Sequence, residues 1–194
     1  MRNQLINSYS PYLLQHAENP IYWQPWSNEN IQEAESKNKL LIISIGYAAC
    51  HWCHVMEKEC FEDEDVAAVM NAYFTSFKID REELPAVDAY YMQALQLMTK
   101  QGGWPLNIVA LPNGLPVWGA TYVPKNQWID ILQQLNELFE EDPEKMYDYA
   151  DKLQNGIALA NDTLQIYPKE TIDFNIEALL DNWKKSFDLE LGGY

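Results

Sequence analysis

The run Leu40-Leu41-Ile42-Ile43-Ser44-Ile45, closed by Gly46, is short, apolar and rich in β-branched residues, and it reads as a buried central strand. Phe74 to Asp80 reads as a second strand. Leu106 to Leu111 and Leu115 to Ala120 read as two more, folded back around Asn113-Gly114, a dipeptide suited to hairpin turns. Helical spacing fills the intervals. Ser27 is placed to cap a helix running to about Lys37, and Cys50 to Lys58 reads as helical. Asp63 to Ala72 sets Val66, Val69, Met70 and Tyr73 on one face, and Val87, Tyr90, Tyr91, Ala94 and Met98 mark another helix. Gln127 to Glu140 turns Ile129, Leu132, Leu135 and Phe139 inward. Asp142-Pro143 has the form of an N-cap followed by proline at the first helical position, opening a helix to about Ala160. Asn161 to Thr171 is polar, and a last amphipathic helix uses Ile176, Leu179, Leu180, Trp183 and Phe187. The segment before Ser27 is dense in aromatics and proline and reads as an irregular extension packed on the domain. Strand, helix, helix, strand, helix, hairpin, helix predicts an α/β fold: a central mixed sheet flanked by helices on both faces.

Charge narrows the partners. The chain of 194 residues carries 29 Asp and Glu against 13 Lys and Arg, a formal net charge of −16. Nucleic acid and anionic membrane surfaces are poor matches for that balance, because phosphate binding needs clustered cations; it reads as a solvated acidic surface. No apolar run reaches the roughly 18 residues of a membrane-spanning helix, and Met1-Arg2-Asn3-Gln4 lacks the apolar core of a signal peptide. The expected compartment is the cytoplasm. The three cysteines, Cys50, Cys53 and Cys60, are too few and too local for a disulfide-stapled secreted scaffold, so the C-x-x-C spacing points to redox chemistry or a metal.

Cys50-His51-Trp52-Cys53 directly follows the central strand and opens a helix. Unpaired amides in a helix's first turn favour a thiolate at Cys50. Cys53, one turn on and on the same face, is placed to resolve the mixed disulfide that Cys50 would form. His51, when protonated, would lower the Cys50 pKa further; His54 would do the same or shuttle a proton. Trp52 is read as a shield for the sulfurs or part of a docking surface. A low Cys50 pKa stabilises the reduced pair, which predicts an oxidant or isomerase rather than a strong reductant. The metal alternative is a zinc site drawing on Cys50, Cys53, His54 and His16; with no second C-x-x-C, no metal or other cofactor is expected. The substrate is then a protein or small-molecule thiol or disulfide.

Three further features bear on this centre. Cys60 lies two turns past Cys53, about 10 Å along a helix, too far for a direct disulfide; it reads as a buried small side chain or a regulatory thiol. Gly102-Gly103-Trp104-Pro105 precedes a strand, and a cis Trp104–Pro105 bond facing the cysteine pair is expected, as in thioredoxin-like proteins. Asp80-Arg81-Glu82 follows the second strand and is either a solvated loop or the source of a carboxylate near the site. His16, in the aromatic segment, is either a hydrogen-bonded packing residue or a ligand.

These stretches together resemble the N-terminal thioredoxin-like domain of the spermatogenesis-associated, YyaL-like protein family. The matching segments are Ser10-Pro11-Tyr12-Leu13-Leu14-Gln15-His16-Ala17, Asn19-Pro20, Trp23, Pro25-Trp26, Ser44-Ile45-Gly46-Tyr47 and Cys50-His51-Trp52-Cys53-His54-Val55-Met56. They continue with Phe61-Glu62-Asp63, Lys78-Ile79-Asp80-Arg81-Glu82-Glu83, Gly102-Gly103-Trp104-Pro105-Leu106 and Thr121-Tyr122-Val123-Pro124. Leu40, Leu84 and Cys60 depart from the family pattern, which has proline, arginine and serine there. The resemblance implies a thioredoxin-like fold over residues 1–165 and a longer natural protein. Residues 166–194 are then a linker and the first helix of a C-terminal helical toroid, an intramolecular partner for this domain. It implies no defined reaction, and a redox-sensing or binding module serving that helical domain is the alternative to an oxidoreductase.

Overall fold

The computed structural model describes residues 2–164 and the isolated helical positions 177, 180, 181 and 184. The chain divides into two compact units, Met1–Ala160 and Asn161–Tyr194. Of the expected last helix only Leu180 falls among the described positions; Ile176, Leu179, Trp183 and Phe187 lie outside them.

After a short 3-10 turn at Leu5–Asn7 come α1 (Pro11–Gln15), β1 (Gln24–Pro25), α2 (Asn28–Ser36) and β2 (Leu40–Gly46). The motif helix α3 (His51–Met56) runs into a π-turn at Glu57–Phe61, then α4 (Glu64–Tyr73) and β3 (Phe74–Asp80). α5 (Pro85–Thr99), β4 (Leu106–Ala110), β5 (Pro116–Ala120), α6 (Lys125–Glu141) and α7 (Pro143–Leu164) follow. Local chemistry sets the ends. Ser10, Ser27 and Asp63 accept backbone amides at the starts of α1, α2 and α4, and Pro85 and Pro143 open α5 and α7. The hairpin turns through Gly114 at φ 85°, where a side chain would be strained.

Among the described residues the sheet has the order β1-β3-β2-β4-β5. β1, β3 and β2 are parallel; β4 and β5 are antiparallel. This is the mixed, thioredoxin-like sheet expected from the sequence. β2 sits in its middle and is buried along its whole length.

Alternation along the strands separates two cores. Leu41, Ile43, Ile45, Phe77, Ile79, Leu106 and Ile108 pack on one face with Ala34 of α2 and Tyr91 and Leu95 of α5. Leu40, Ile42, Phe74 and Val109 pack on the other, with α1, α3, α4 and α6, and that core includes all three cysteines.

Three expectations change in detail. The motif helix does not continue as α-helix to Lys58. Glu62 N–H bonds Glu57 C=O, five residues back, and this wider turn carries Glu57, Cys60 and Phe61 all to the buried side. Tyr73, expected inward, is 43% exposed, because it ends α4 where the chain swings into β3. The N-terminal extension is built more tightly into the core than an irregular segment: it forms α1 and an edge strand, and Tyr12, Ile21 and Trp23 are fully buried.

Candidate active site

The end of β2 fixes the site. Gly46 pairs with Asp80 at the end of β3, and Ile45 pairs with Leu106 at the start of β4. The motif loop, the Arg81 loop and Trp104-Pro105 therefore leave the sheet at one edge. Cys50 caps α3, its Sγ accepting the Cys53 amide at 3.2 Å, and it forms a disulfide with Cys53 across a Cα separation of 5.2 Å. Both sulfurs lie in the core, with Cys50 3% and Cys53 1% exposed. His51 and Trp52 point outward: Trp52 is 53% exposed, packs on His51, and tilts over Tyr122 at 5.2 Å. The Tyr122 hydroxyl donates to Glu59, which pushes its pKa up to about 12.

Behind the disulfide lies a buried polar cluster. Lys78, in mid-β3, has its ammonium sealed in the core, where it donates to Ser44 Oγ at 2.9 Å. The rings of Tyr12, Trp23 and Phe61 surround it at 5.2, 5.2 and 4.5 Å. Burial lowers its pKa to about 7, the Glu57 carboxylate offsetting part of that shift. Glu57 bridges two histidines. Its Oε1 lies 3.4 Å from His16 Nδ1, and its Oε2 lies 3.7 Å from His54 Nδ1. Burial raises the Glu57 pKa and holds that of His16 well below the usual imidazole value, with Lys78 adding to the latter. His16 Nδ1 also meets Asn19 Oδ1 at 2.9 Å, and His54 Nε2 donates to the Ala48 carbonyl at 2.8 Å. Cys60 contacts the Val123 carbonyl through its thiol at 3.5 Å, and burial pushes its pKa up to about 12. That environment keeps it a thiol at neutral pH.

At the open edge Arg81 lies flat on Trp104, 3.8 Å from the ring centre, with Tyr47 beside both. Asp88 joins them, accepting Trp104 Nε1–H at 2.7 Å and standing 3.6 Å from Arg81 Nε. The Trp104–Pro105 bond is cis and Pro105 is buried.

The residues expected at the site divide into three groups. Cys50, Cys53, His51 and Trp52 form the motif itself, while Arg81, Trp104 and Pro105 line the same edge. His16 and His54 flank the Glu57 carboxylate, and among the described residues no three His, Cys, Asp or Glu side chains are grouped as a metal site. Asp80 is turned away from solvent: it accepts Ser10 Oγ at 2.6 Å and the Glu82 amide at 2.9 Å, and so fastens α1 to the end of β3. Glu82 is an exposed loop residue. Sequence reasoning passed over Lys78, Glu57, Ser44 and Tyr12. The one available signal was a lysine inside a strand with apolar residues on both sides.

A family described as a protein of unknown function, DUF255, under the model name Thioredox_DsbH, matches residues 2–158. Human spermatogenesis-associated protein 20 is 34% identical over 204 residues, covering 99% of this chain and 25% of its own length. The rat protein of that name is 48% identical over 122 residues, 63% of this chain and 16% of its own. An uncharacterised protein of Caenorhabditis elegans, B0495.5, is 35% identical over 199 residues, all of this chain and 27% of its own. The chain thus spans about a quarter of the length of the curated relatives it matches end to end. Among solved structures, a DsbH oxidoreductase aligns with TM-score 0.47 and 14% identity over 61% of this chain and 85% of its own. A thioredoxin from Thermus thermophilus aligns with TM-score 0.47 and 17% identity over 60% and 87%. With a cysteine pair joined at the start of a helix behind a central strand, and a family model that spans nearly all of the first unit, the chain belongs to the thioredoxin-like DUF255 family and is a thiol–disulfide oxidoreductase-like domain.

Proposed function

We propose that the domain catalyses thiol–disulfide exchange, with Cys50 as the exchanging sulfur and Cys53 as the resolving one. The observation that carries this reading is the disulfide at the cap of α3, where the Cys53 amide already donates to Cys50 Sγ. In the oxidising direction a substrate thiolate attacks Cys50 Sγ and the Cys50–Cys53 bond breaks. Cys53 leaves as a thiolate. A second substrate thiolate then attacks the substrate sulfur of the mixed disulfide, and Cys50 leaves. Two electrons pass from the substrate dithiol to the pair, and the reduced pair runs the same steps backward on a substrate disulfide.

Cys50, at the cap of α3, is assigned the exchanging role because Cys53 lies deeper, with its sulfur against Gly46. The amide on Cys50 favours its thiolate and therefore the reduced pair, which supports an oxidant or isomerase with a potential above roughly −270 mV, the thioredoxin value. The substrates are protein or small-molecule thiols and disulfides, and the exposed Trp52 beside Tyr122 offers an apolar surface next to the sulfur. A cytoplasmic setting and an intramolecular helical partner belong to the same reading.

The test is insulin reduction and refolding of scrambled ribonuclease by wild type, Cys50→Ser and Cys53→Ser. Wild type turns over, Cys50→Ser loses activity by at least a hundredfold, and Cys53→Ser accumulates a mixed disulfide through Cys50. Equal rates in wild type and Cys50→Ser would sink the proposal. The small share of the relatives' length that the chain spans favours a second reading, a redox-sensing or binding module serving the rest of a longer protein. A pair that is reduced and reoxidised reversibly without turnover would select it.

A further inference from the structure

Tyr12 sits on α1, in the N-terminal extension, yet its hydroxyl reaches the redox centre. A Cβ placed on Gly46 would collide with Tyr12 Oη and would lie 2.7 Å from Cys53 Sγ. The hydroxyl and the sulfur therefore share the space that the missing side chain leaves at the end of β2. Tyr12 is fully buried, and its hydroxyl has no hydrogen-bond partner in the disulfide form. A buried donor in that condition costs the disulfide form free energy, and an acceptor that appears only on reduction would relieve that cost in the reduced form. Its surroundings keep it a donor: burial, then the negative charges of Glu57 and Asp80, hold its pKa well above the usual phenol value. Its ring is held in place by the neighbouring Lys78 ammonium and His16 edge.

We propose that Tyr12 Oη–H is the hydrogen-bond donor to the Cys53 thiolate when the pair is reduced, so that the N-terminal extension tunes the redox equilibrium. This rests on the exchange reaction above. A reductant thiolate attacks Cys50 Sγ, the S–S bond breaks, and the electron pair goes to Cys53 Sγ; a second reductant thiolate attacks the reductant sulfur of that mixed disulfide, Cys50 leaves as a thiolate, and the two reductant sulfurs end as a disulfide. A disulfide sulfur is a weak acceptor, whereas the thiolate is a charged one. Tyr12 keeps its own proton throughout and shares it with the Cys53 thiolate as a hydrogen bond; any proton that either sulfur later takes up comes from solvent. The bond exists only on the reduced side, so it favours the dithiol and makes the pair more oxidising.

The experiment equilibrates the chain with reduced and oxidised glutathione at fixed pH, comparing wild type, Tyr12→Phe and Tyr9→Phe. Phenylalanine keeps the ring that packs against Lys78, and Tyr9, which is 97% exposed, serves as control. Tyr12→Phe moves the equilibrium about tenfold toward the disulfide, equivalent to about 30 mV, and Tyr9→Phe leaves it in place. The melting temperature of the disulfide form does not fall in Tyr12→Phe, because the lost hydroxyl had no partner there. In wild type with isotope-labelled tyrosine, the ring Cζ resonance of Tyr12 moves on reduction and that of Tyr9 does not; this needs no variant to fold. A shift under twofold, a shift toward the dithiol, or a Tyr12 resonance indifferent to reduction overturns the proposal while leaving the exchange reaction intact. A pair that never equilibrates with glutathione overturns both.

Discussion

The two faces of the sheet are built from the same strands and solve different problems. On the face covered by α2 and α5, Leu41, Ile43, Ile45, Phe77 and Ile79 meet Leu95 and Tyr91 with almost nothing to hydrogen-bond; the Tyr91 hydroxyl reaches the Gly114 carbonyl at 3.0 Å. On the face covered by α1, α3 and α6, the same strands present Ser44, Lys78 and Asn107, all buried. The unpartnered buried polar atoms among the described residues all belong to that second face: Tyr12 Oη, His16 Nε2, Ser76 Oγ, Asn107 Oδ1 and the Trp128 indole nitrogen. Burying such groups costs stability. One face is packed almost wholly by apolar side chains, and the other carries, within its own apolar core, a polar cluster beside the Cys50–Cys53 disulfide.

The sharpest break in the comparison is on the apolar face. Phe77→Ala empties a fully buried site packed against Trp26 and should cost about 3–5 kcal/mol in urea unfolding of the disulfide form. The glutathione equilibrium of variant protein that remains folded should stay at the wild-type value. A shifted equilibrium would show that the two faces are not separable.

Lys78→Met tests the opposite face and should produce a smaller, pH-dependent effect. In the fold Lys78 gives up its proton near pH 7, whereas in the unfolded chain it holds one to about pH 10.4. Folding therefore releases a proton across that window, and this residue's contribution makes stability climb with pH by about 1.4 kcal/mol per unit. Methionine keeps the apolar stem without the charge and should flatten the rise. Measured from pH 7 to 8.5, below the range where the buried Cys60 thiol adds the opposite slope, the wild type should gain about 1–2 kcal/mol on the variant. Parallel pH profiles would mean that the ammonium is not sealed as the aromatic cage implies.

How much of this was legible in the sequence follows from the range of the interactions. β2 could be read almost to the residue, because a strand buried on both faces is here a contiguous apolar run, and β3 because aromatic and β-branched residues, Phe74, Thr75, Phe77 and Ile79, recur along it. Asn113-Gly114 announced the hairpin for an equally local reason, and Cys50-His51-Trp52-Cys53 is a signature within four residues. The cluster behind the disulfide is different in kind. Tyr12, Ser44, Glu57 and Lys78 come from α1, β2, the π-turn and β3, and they meet because Ser10 and Asp80, seventy positions apart, hydrogen-bond. No periodicity encodes that contact. Lys78 looked like an ordinary polar strand residue, since the three rings that enclose it lie elsewhere in the chain. The π-turn was equally hidden: Glu57 to Phe61 has unremarkable helical composition, and the wider hydrogen bond follows from packing.

The rim where the two faces meet should respond least. Arg81, stacked on Trp104 and next to Asp88, touches both cores through the tryptophan. Arg81→Lys keeps the charge but loses the guanidinium's seat on Trp104 and its Nε contact with Asp88. The Arg81 side chain is 37% exposed, so the loss is that of a partly solvated cation–π contact and a screened ion pair, about 0.5–1 kcal/mol. This loss should be the same at pH 7 and pH 8.5, unlike that of Lys78→Met. A loss that grows with pH would assign the rim to the polar face; a constant one leaves it as a clasp common to both, holding Trp104 at the sheet edge from which the Cys50 loop also leaves.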